Sequence, residues 1–187
     1  EEDEGGLPAA GIRDDAEVGR LDVTVDDALG FQVGHRVEKV AAELRETHGV
    51  EVETISADLA VRDDVMRVAD RIEDPARPID WLINNAGFGL HSTVLDRSEI
   101  DIQARAFDVM CLAVLILGGA AGRAMRARGS GRIVNVASTS AAIYTGNYSA
   151  VKAWARTYST ALQLELRGSG VTVTGLLPGW VRTEFHD

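Results

Sequence analysis

Tyr148-Ser149-Ala150-Val151-Lys152 is the stretch on which the reading of this chain turns, and it lies within a longer segment from Arg132 to Thr183. Asn147 in a capping position, and the run of Ala, Lys, Leu and Glu that follows, predict a helix. On such a helix Tyr148 and Lys152 stand one turn apart on the same face. That sets an ammonium beside a phenol. A free tyrosine, with a pKa of about 10, exchanges protons poorly near neutrality, but a neighbouring positive charge favours the phenolate and lowers that value. Such a pair suits acid/base work on a hydroxyl or a carbonyl. Tyr144 has no lysine four residues further on and does not compete with Tyr148.

Outward from this centre the chain reads as strands. Gly131-Arg132-Ile133-Val134-Asn135-Val136-Ala137-Ser138 is a short run rich in β-branched residues that ends in a hydroxyl. Val171-Thr172-Val173-Thr174-Gly175-Leu176-Leu177 is another, running into Pro178-Gly179-Trp180-Val181-Arg182-Thr183. Upstream, Ile79-Asp80-Trp81-Leu82-Ile83 ends in Asn84-Asn85-Ala86-Gly87. Three strands joined by helices, each delivering small or polar residues at its C-terminal end, describe the ligand edge of an open parallel sheet.

Asn84-Asn85-Ala86-Gly87, a serine ahead of Tyr-x-x-x-Lys, and Pro-Gly-x-Val-x-Thr, in this order, resemble the short-chain dehydrogenase/reductase family over roughly Val37 to Glu184. The resemblance implies an α/β fold, a Rossmann-like doubly wound parallel sheet, and hydride transfer between NAD or NADP and a carbonyl or alcohol. By the same resemblance Ser138 orients the substrate oxygen, with Ser140 as the alternative, Tyr148 gives or takes the proton, and Lys152 lowers the tyrosine pKa and binds the nicotinamide ribose. It also implies that Asp58 and Leu59 contact the adenine, that Asn85, Ala86 and Gly87 line the adenosine side of the groove, and that Pro178, Gly179, Val181 and Thr183 cover the nicotinamide. Homo-oligomerisation through the helices containing Met110 and Tyr148 is a further implication.

Composition agrees with a soluble enzyme. At 187 residues and 45% apolar, the chain can bury one core. A net charge of -10 argues against nucleic acid and against anionic membrane as partners. One cysteine, Cys111, offers neither a disulfide framework nor a metal set, which fits a reducing, cytoplasmic compartment. No secretory signal opens the sequence. The apolar run from Met110 to Ala121 is shorter than the ~20 residues a membrane span needs, and predicts a buried helix.

Taken in order, residues 1–36 are the odd part. They hold ten acidic residues and three basic ones, so -7 of the net charge falls there. The Thr-Gly-x-x-x-Gly-x-Gly loop that the resemblance implies for this region is not in the sequence. Leu21-Asp22-Val23-Thr24-Val25 alternates as a strand does, with Gly30 and Gly34 as turn residues, but no strand, glycine loop and helix follow one another to cradle a pyrophosphate. The expectation is an acidic leader over 1–36, outside the family's own pattern, and a partial Rossmann-like domain over 37–187. From Val37 the pattern runs without a break. Residues 37, 40, 41 and 44 form a helical stripe, Val50 to Ile55 a strand, and 65, 68, 69 and 72 a second stripe from about Arg62 to Ile72. Phe88 to Thr93 is a glycine-containing loop whose His91 carries no assigned role.

Two further departures bear on function. Met110 stands where family members usually place an asparagine that holds a water for proton relay, and a thioether cannot hold water in that way. The sequence also stops at Asp187, ahead of the family's substrate lid. The readings are therefore two: a Ser-Tyr-Lys oxidoreductase, or a truncated, non-catalytic relative that binds a partner or has no activity.

Overall fold

The computed structural model describes residues 21–26, 32–90 and 93–179, with side chains from residue 38 onward. Gly30, His91, Val181 and Thr183, each weighed above, lie outside the described residues. The elements in chain order are β1 (Leu21–Asp26), α1 (Gln32–His48), β2 (Val52–Ala57), α2 (Arg62–Glu73), β3 (Trp81–Asn84), α3 (Ile100–Phe107), α4 (Ala113–Arg128), β4 (Gly131–Val136), α5 (Asn147–Glu165) and β5 (Val171–Leu176). A π-helical turn, Asp108–Leu112, joins α3 to α4.

All strand pairings are parallel, in the orders β1-β2 and β3-β4-β5. Parallel neighbours need crossovers, and each crossover here contains a helix, as the alternation of strand and helix patterns predicts. Strand β4 is central: Ile133 is fully buried between α4 and α5, in a core shared with Val109, Met125, Val151 and Leu162. The second half of the core joins α2 to α4, where Val65, Val68, Ala69 and Ile72 pack in one cluster with Leu117, Ala120 and Ala121. The helical stretch from Arg97 to Arg128 is long and apolar enough to cross a membrane, yet its faces fill this core, as expected for Met110 to Ala121.

Three expectations change. The leader expected over 1–36 contains β1, paired along its whole length with β2, and α1 begins at Gln32 and crosses the expected boundary. The alternation of Leu21, Val23 and Val25 is the physical reason a strand forms there. Second, β2 runs two residues later than the sequence suggests, because Val50 and Val52 fit the same alternation. Third, Asn147 does not cap α5. Gly146 precedes the helix at φ 94, a conformation that disfavours side chains, and the Asn147 amide instead donates to Gln103 Oε1 at 2.9 Å.

Candidate active site

The C-terminal ends of β3, β4 and β5 bring the candidate residues together. Beyond β4, backbone pairing with the β5 side continues from Ala137 N to Leu176 O at 2.8 Å and from Thr139 N to Pro178 O at 3.0 Å. This sets Pro178 beside the serine turn. Ser138 is extended, and its Oγ accepts from Ser140 N at 3.1 Å, which opens a 3-10 turn over Thr139–Ala142. That tight turn is how only ten positions can connect Ser138 to Tyr148. At the far end of the loop, Ser149 Oγ accepts from Thr145 N at 3.3 Å and fixes the start of α5.

One turn into α5, Lys152 is 5% exposed, and its ammonium donates to the Val136 carbonyl at 3.0 Å. Its Nζ lies 5.7 Å from the centroid of the Tyr148 ring. Burial pushes the Lys152 pKa down, and the nearby Cys111 thiol opposes this by favouring the charged form. The Tyr148 phenol moves up, because burial outweighs its hydrogen bond with Ser138, which favours the phenolate. The lowering expected from Lys152 does not arise: the hydrogen bond with Ser138 is what opposes the loss of water around the half-buried ring. Cys111 is pushed up to about 11 by burial, with Lys152 pulling the other way.

From β3, Asn85 is exposed while Ala86 and Gly87 are half-buried. A Cβ on Gly87 would stand 2.9 Å from Met110 Sδ and 3.7 Å from Lys152 Nζ. Gly87, Met110 and Lys152 therefore meet at one point. Met110, 2% exposed, lies on the π turn, where i→i+5 bonding widens the helix. Asp58 follows β2 at the same edge of its own pair of strands. Leu59 is buried against α2 and packs the core, while Gly179 is exposed.

Sequence reasoning missed two features. A buried ladder crosses the site's floor: Asn84 Nδ2 donates to Asn135 Oδ1 at 2.8 Å, Asn135 Nδ2 to Ser159 Oγ at 3.0 Å, and Ser159 Oγ to the Ala155 carbonyl at 2.7 Å. It ties β3, β4 and α5 into one register. An asparagine among β-branched strand residues was its signal. The other is the ion pair of Arg105 Nη2 with Asp58 Oδ1 at 2.7 Å, which no local pattern announces.

The sequence profile of the short chain dehydrogenases matches residues 29–187. The ketoacyl reductase HetN of Nostoc sp. is 37% identical over 117 residues, which are 61% of this chain and 40% of that protein. The 3-oxoacyl-[acyl-carrier-protein] reductase of Synechocystis sp. is 30% identical over 153 residues, 80% of this chain and 61% of that protein. Among solved structures, a short-chain dehydrogenase from Sphingobium yanoikuyae in complex with NADPH superposes with a TM-score of 0.80 at 31% identity, covering 89% of this chain and 63% of that one. The chain thus spans less than two thirds of the length of each of these proteins.

Proposed function

The chain belongs to the short-chain dehydrogenase family, and on that premise we propose that it is an NAD- or NADP-dependent oxidoreductase acting on a small-molecule carbonyl or alcohol. The observation that carries this reading is the grouping of Ser138, Tyr148 and Lys152, with the ammonium buried below the tyrosine and the serine hydrogen-bonded to it.

Several residues fit a nicotinamide cofactor. Gly87 presents backbone without a side chain next to the Lys152 ammonium, and Asp58 offers a carboxylate oxygen beyond the C-terminal end of β2. Lys152 would hold the ribose hydroxyls, Pro178 and Gly179 would border the nicotinamide, and Asp58 would meet the adenine. Val181 and Thr183 join them by family resemblance. When bound, the cofactor supplies or accepts the hydride.

The residues of this chain manage the proton and the oxygen. Tyr148 donates its phenolic proton to the carbonyl oxygen in reduction and accepts the hydroxyl proton in oxidation. Ser138 donates a hydrogen bond to the same oxygen as negative charge builds on it. Lys152, fixed by the Val136 carbonyl, stabilises the phenolate left behind. Association of two copies through α4 and α5 is proposed with it, supported by Leu112 and Leu115, which are exposed on the π turn and α4. A cytoplasmic location accords with the single reduced thiol.

A second reading, a non-catalytic relative, is favoured by Met110, which puts an apolar side chain where proton relay would need an amide. Comparing the purified chain with Tyr148→Phe on a panel of carbonyls and alcohols separates the two. Loss of turnover with cofactor binding intact is the result expected for the oxidoreductase. Turnover that survives the substitution unchanged refutes the roles given to this set, and folded protein that binds cofactor but turns nothing over favours the second reading.

A further inference from the structure

The first turn of α5 carries Tyr148, and Gly146, which precedes the helix, gives it no side-chain cap. A helix that starts this way leaves its first N–H groups to water or to partners outside it. Two side-chain links hold the turn instead. Asn147 Nδ2 donates to Gln103 Oε1 at 2.9 Å, while Ser149 Oγ accepts from Thr145 N at 3.3 Å and shares a hydrogen bond with Thr145 Oγ1 at 2.7 Å. Asn147 and Ser149 flank Tyr148 in sequence, and on a helix they project about 100° to either side of it. A tether on each side resists rotation of the turn in either sense, and rotation is the motion that would carry the phenol away from Ser138.

Gln103 comes from α3, which packs against α5, and its placement is the less expected of the two. It is 3% exposed, whereas Ile100 and Ile102 on the same helix are exposed. Burying an amide and leaving two isoleucines outside runs against the usual preference. It costs free energy unless partners take the amide's hydrogen bonds, and Asn147 is one such partner. Gln103, Ala106 and Met110 are all buried, at i, i+3 and i+7. The buried side of α3 and of the π turn after it thus meets Asn147 at one end and, through Met110, Gly87 and Lys152 at the other.

We infer that Gln103 is a positioning residue: by holding Asn147 it fixes the rotation of the first turn of α5 and keeps the Tyr148 phenol opposite Ser138. The inference rests on the Ser-Tyr-Lys reading above and adds to it a residue from a helix that carries none of the three. Asn147 is only half-buried, so water can take over its amide when Gln103 is replaced, and folding does not depend on the pair.

The test compares Gln103→Leu, which keeps the volume and removes the acceptor, with Gln103→Glu, which keeps an oxygen for Asn147 whether or not the new carboxyl is ionised. The readouts are melting temperature, kcat and KM on carbonyls and alcohols over a range of pH, and titration of the Tyr148 phenol by NMR of ring-labelled tyrosine, with Tyr148→Phe to assign its signal. Gln103→Leu is expected to lose about tenfold to a hundredfold in kcat, with the KM for cofactor and the melting temperature little changed. Its phenol should titrate about half a unit to one unit higher, the size of one hydrogen bond, because the Ser138 bond that favours the phenolate is weakened. Lys152 beside the ring and Cys111 beside Lys152 stay in place, so alcohol oxidation should shift to higher pH by the same amount. Gln103→Glu should recover most of the kcat. Asn147→Ala should reproduce Gln103→Leu, and the two together should cost no more than either alone. A lower melting temperature with kcat and phenol titration unchanged marks a packing role and overturns the inference, as do additive losses in the pair. If Gln103→Leu does not fold, Asn147→Ala decides alone, and an unchanged kcat and titration in it overturn the inference. A wild type that turns over no substrate overturns the oxidoreductase reading and this inference with it, an outcome distinct from an active wild type indifferent to Gln103.

Discussion

At Lys152, burial opposes the charge that acid/base chemistry needs, and the neighbours partly compensate. The Val136 carbonyl takes one N–H, while Cys111 lies close enough for thiol and ammonium to influence each other's protonation. Cys111 ionises at an ordinary value of 9.0 when exposed and at about 11 when folded. A raised folded pKa means stability that is fully present below about 9 and is lost as the pH climbs through about 11, because only the unfolded chain releases the proton in between. We expect the wild type to lose on the order of 1–3 kcal/mol relative to Cys111→Ala across that window. Denaturant melts of both proteins at several alkaline pH values measure it, and parallel curves would show that the thiol ionises alike in both states. One position earlier, Met110 is buried on the π turn, at the place proposed above to lack a relay amide. Met110→Asn should raise the turnover number at least about tenfold if relay limits the rate. It should also cost about 1–3 kcal/mol by burying an amide among apolar neighbours. Met110→Leu should do neither. Initial rates and melting temperatures of the two variants separate a missing relay from a packing role, and equal turnover in both would remove Met110 as the obstacle.

Between elements, close approach matters more than hydrogen-bond count. Helices α4 and α5 meet at Gly118, where a Cβ would fall 2.6 Å from the Tyr158 hydroxyl that donates to the Leu115 carbonyl at 3.3 Å. Gly118→Ala must expel that hydroxyl, at a cost of about 1–3 kcal/mol. In a Tyr158→Phe background the same substitution should cost little, since the hydroxyl, the nearest clashing atom, is gone. A double-mutant cycle by urea unfolding reads the coupling, and additive losses would mean the helices simply move apart. This contact also marks the limit of sequence reading. The strand ends with Asn84, Ser138 and Pro178, and the tyrosine and lysine one turn apart, were legible because each depends on period and on residues near in sequence. The π turn was not, since i→i+5 bonding leaves no spacing signature in Asp108-Val109-Met110-Cys111-Leu112. Arg105 and Asp58, 47 residues apart, meet only once α3 is packed, and a glycine–tyrosine contact 40 residues apart is equally silent. Residues 21–26 were legible as an alternation, but nothing in their sequence names β2 as the strand they pair with.

Over the whole molecule, the sheet is in two parts, β1-β2 and β3-β4-β5. Among the described residues β1 pairs only with β2 and β3 only with β4, which leaves Trp81 at 53% and Ile83 at 60% exposure on β3. The parts are held together by the apolar packing of α2 on α4, by the exposed Arg123–Glu73 pair at 2.6 Å and by Arg105 with Asp58. Surface pairs add about 0–1 kcal/mol, so the helix packing carries the connection. Strand β4, paired on both sides and buried at Ile133 and Asn135, should open only on global unfolding, whereas β1-β2, lacking a second neighbour, should open at lower free energy. Amide exchange is therefore expected to be faster in Val52–Ala57 than in Gly131–Val136. A dinucleotide that lies along the edge touches both parts, and at a hundred times its dissociation constant it adds about 2.7 kcal/mol to any opening that destroys its site. Exchange should then slow by up to about a hundredfold in both Ser56–Asp58 and Asn84–Gly87, although no strand pairing joins them. Slowing confined to Asn84–Gly87 would mean that the parts open separately, and that the end of β2 contributes nothing to holding the dinucleotide.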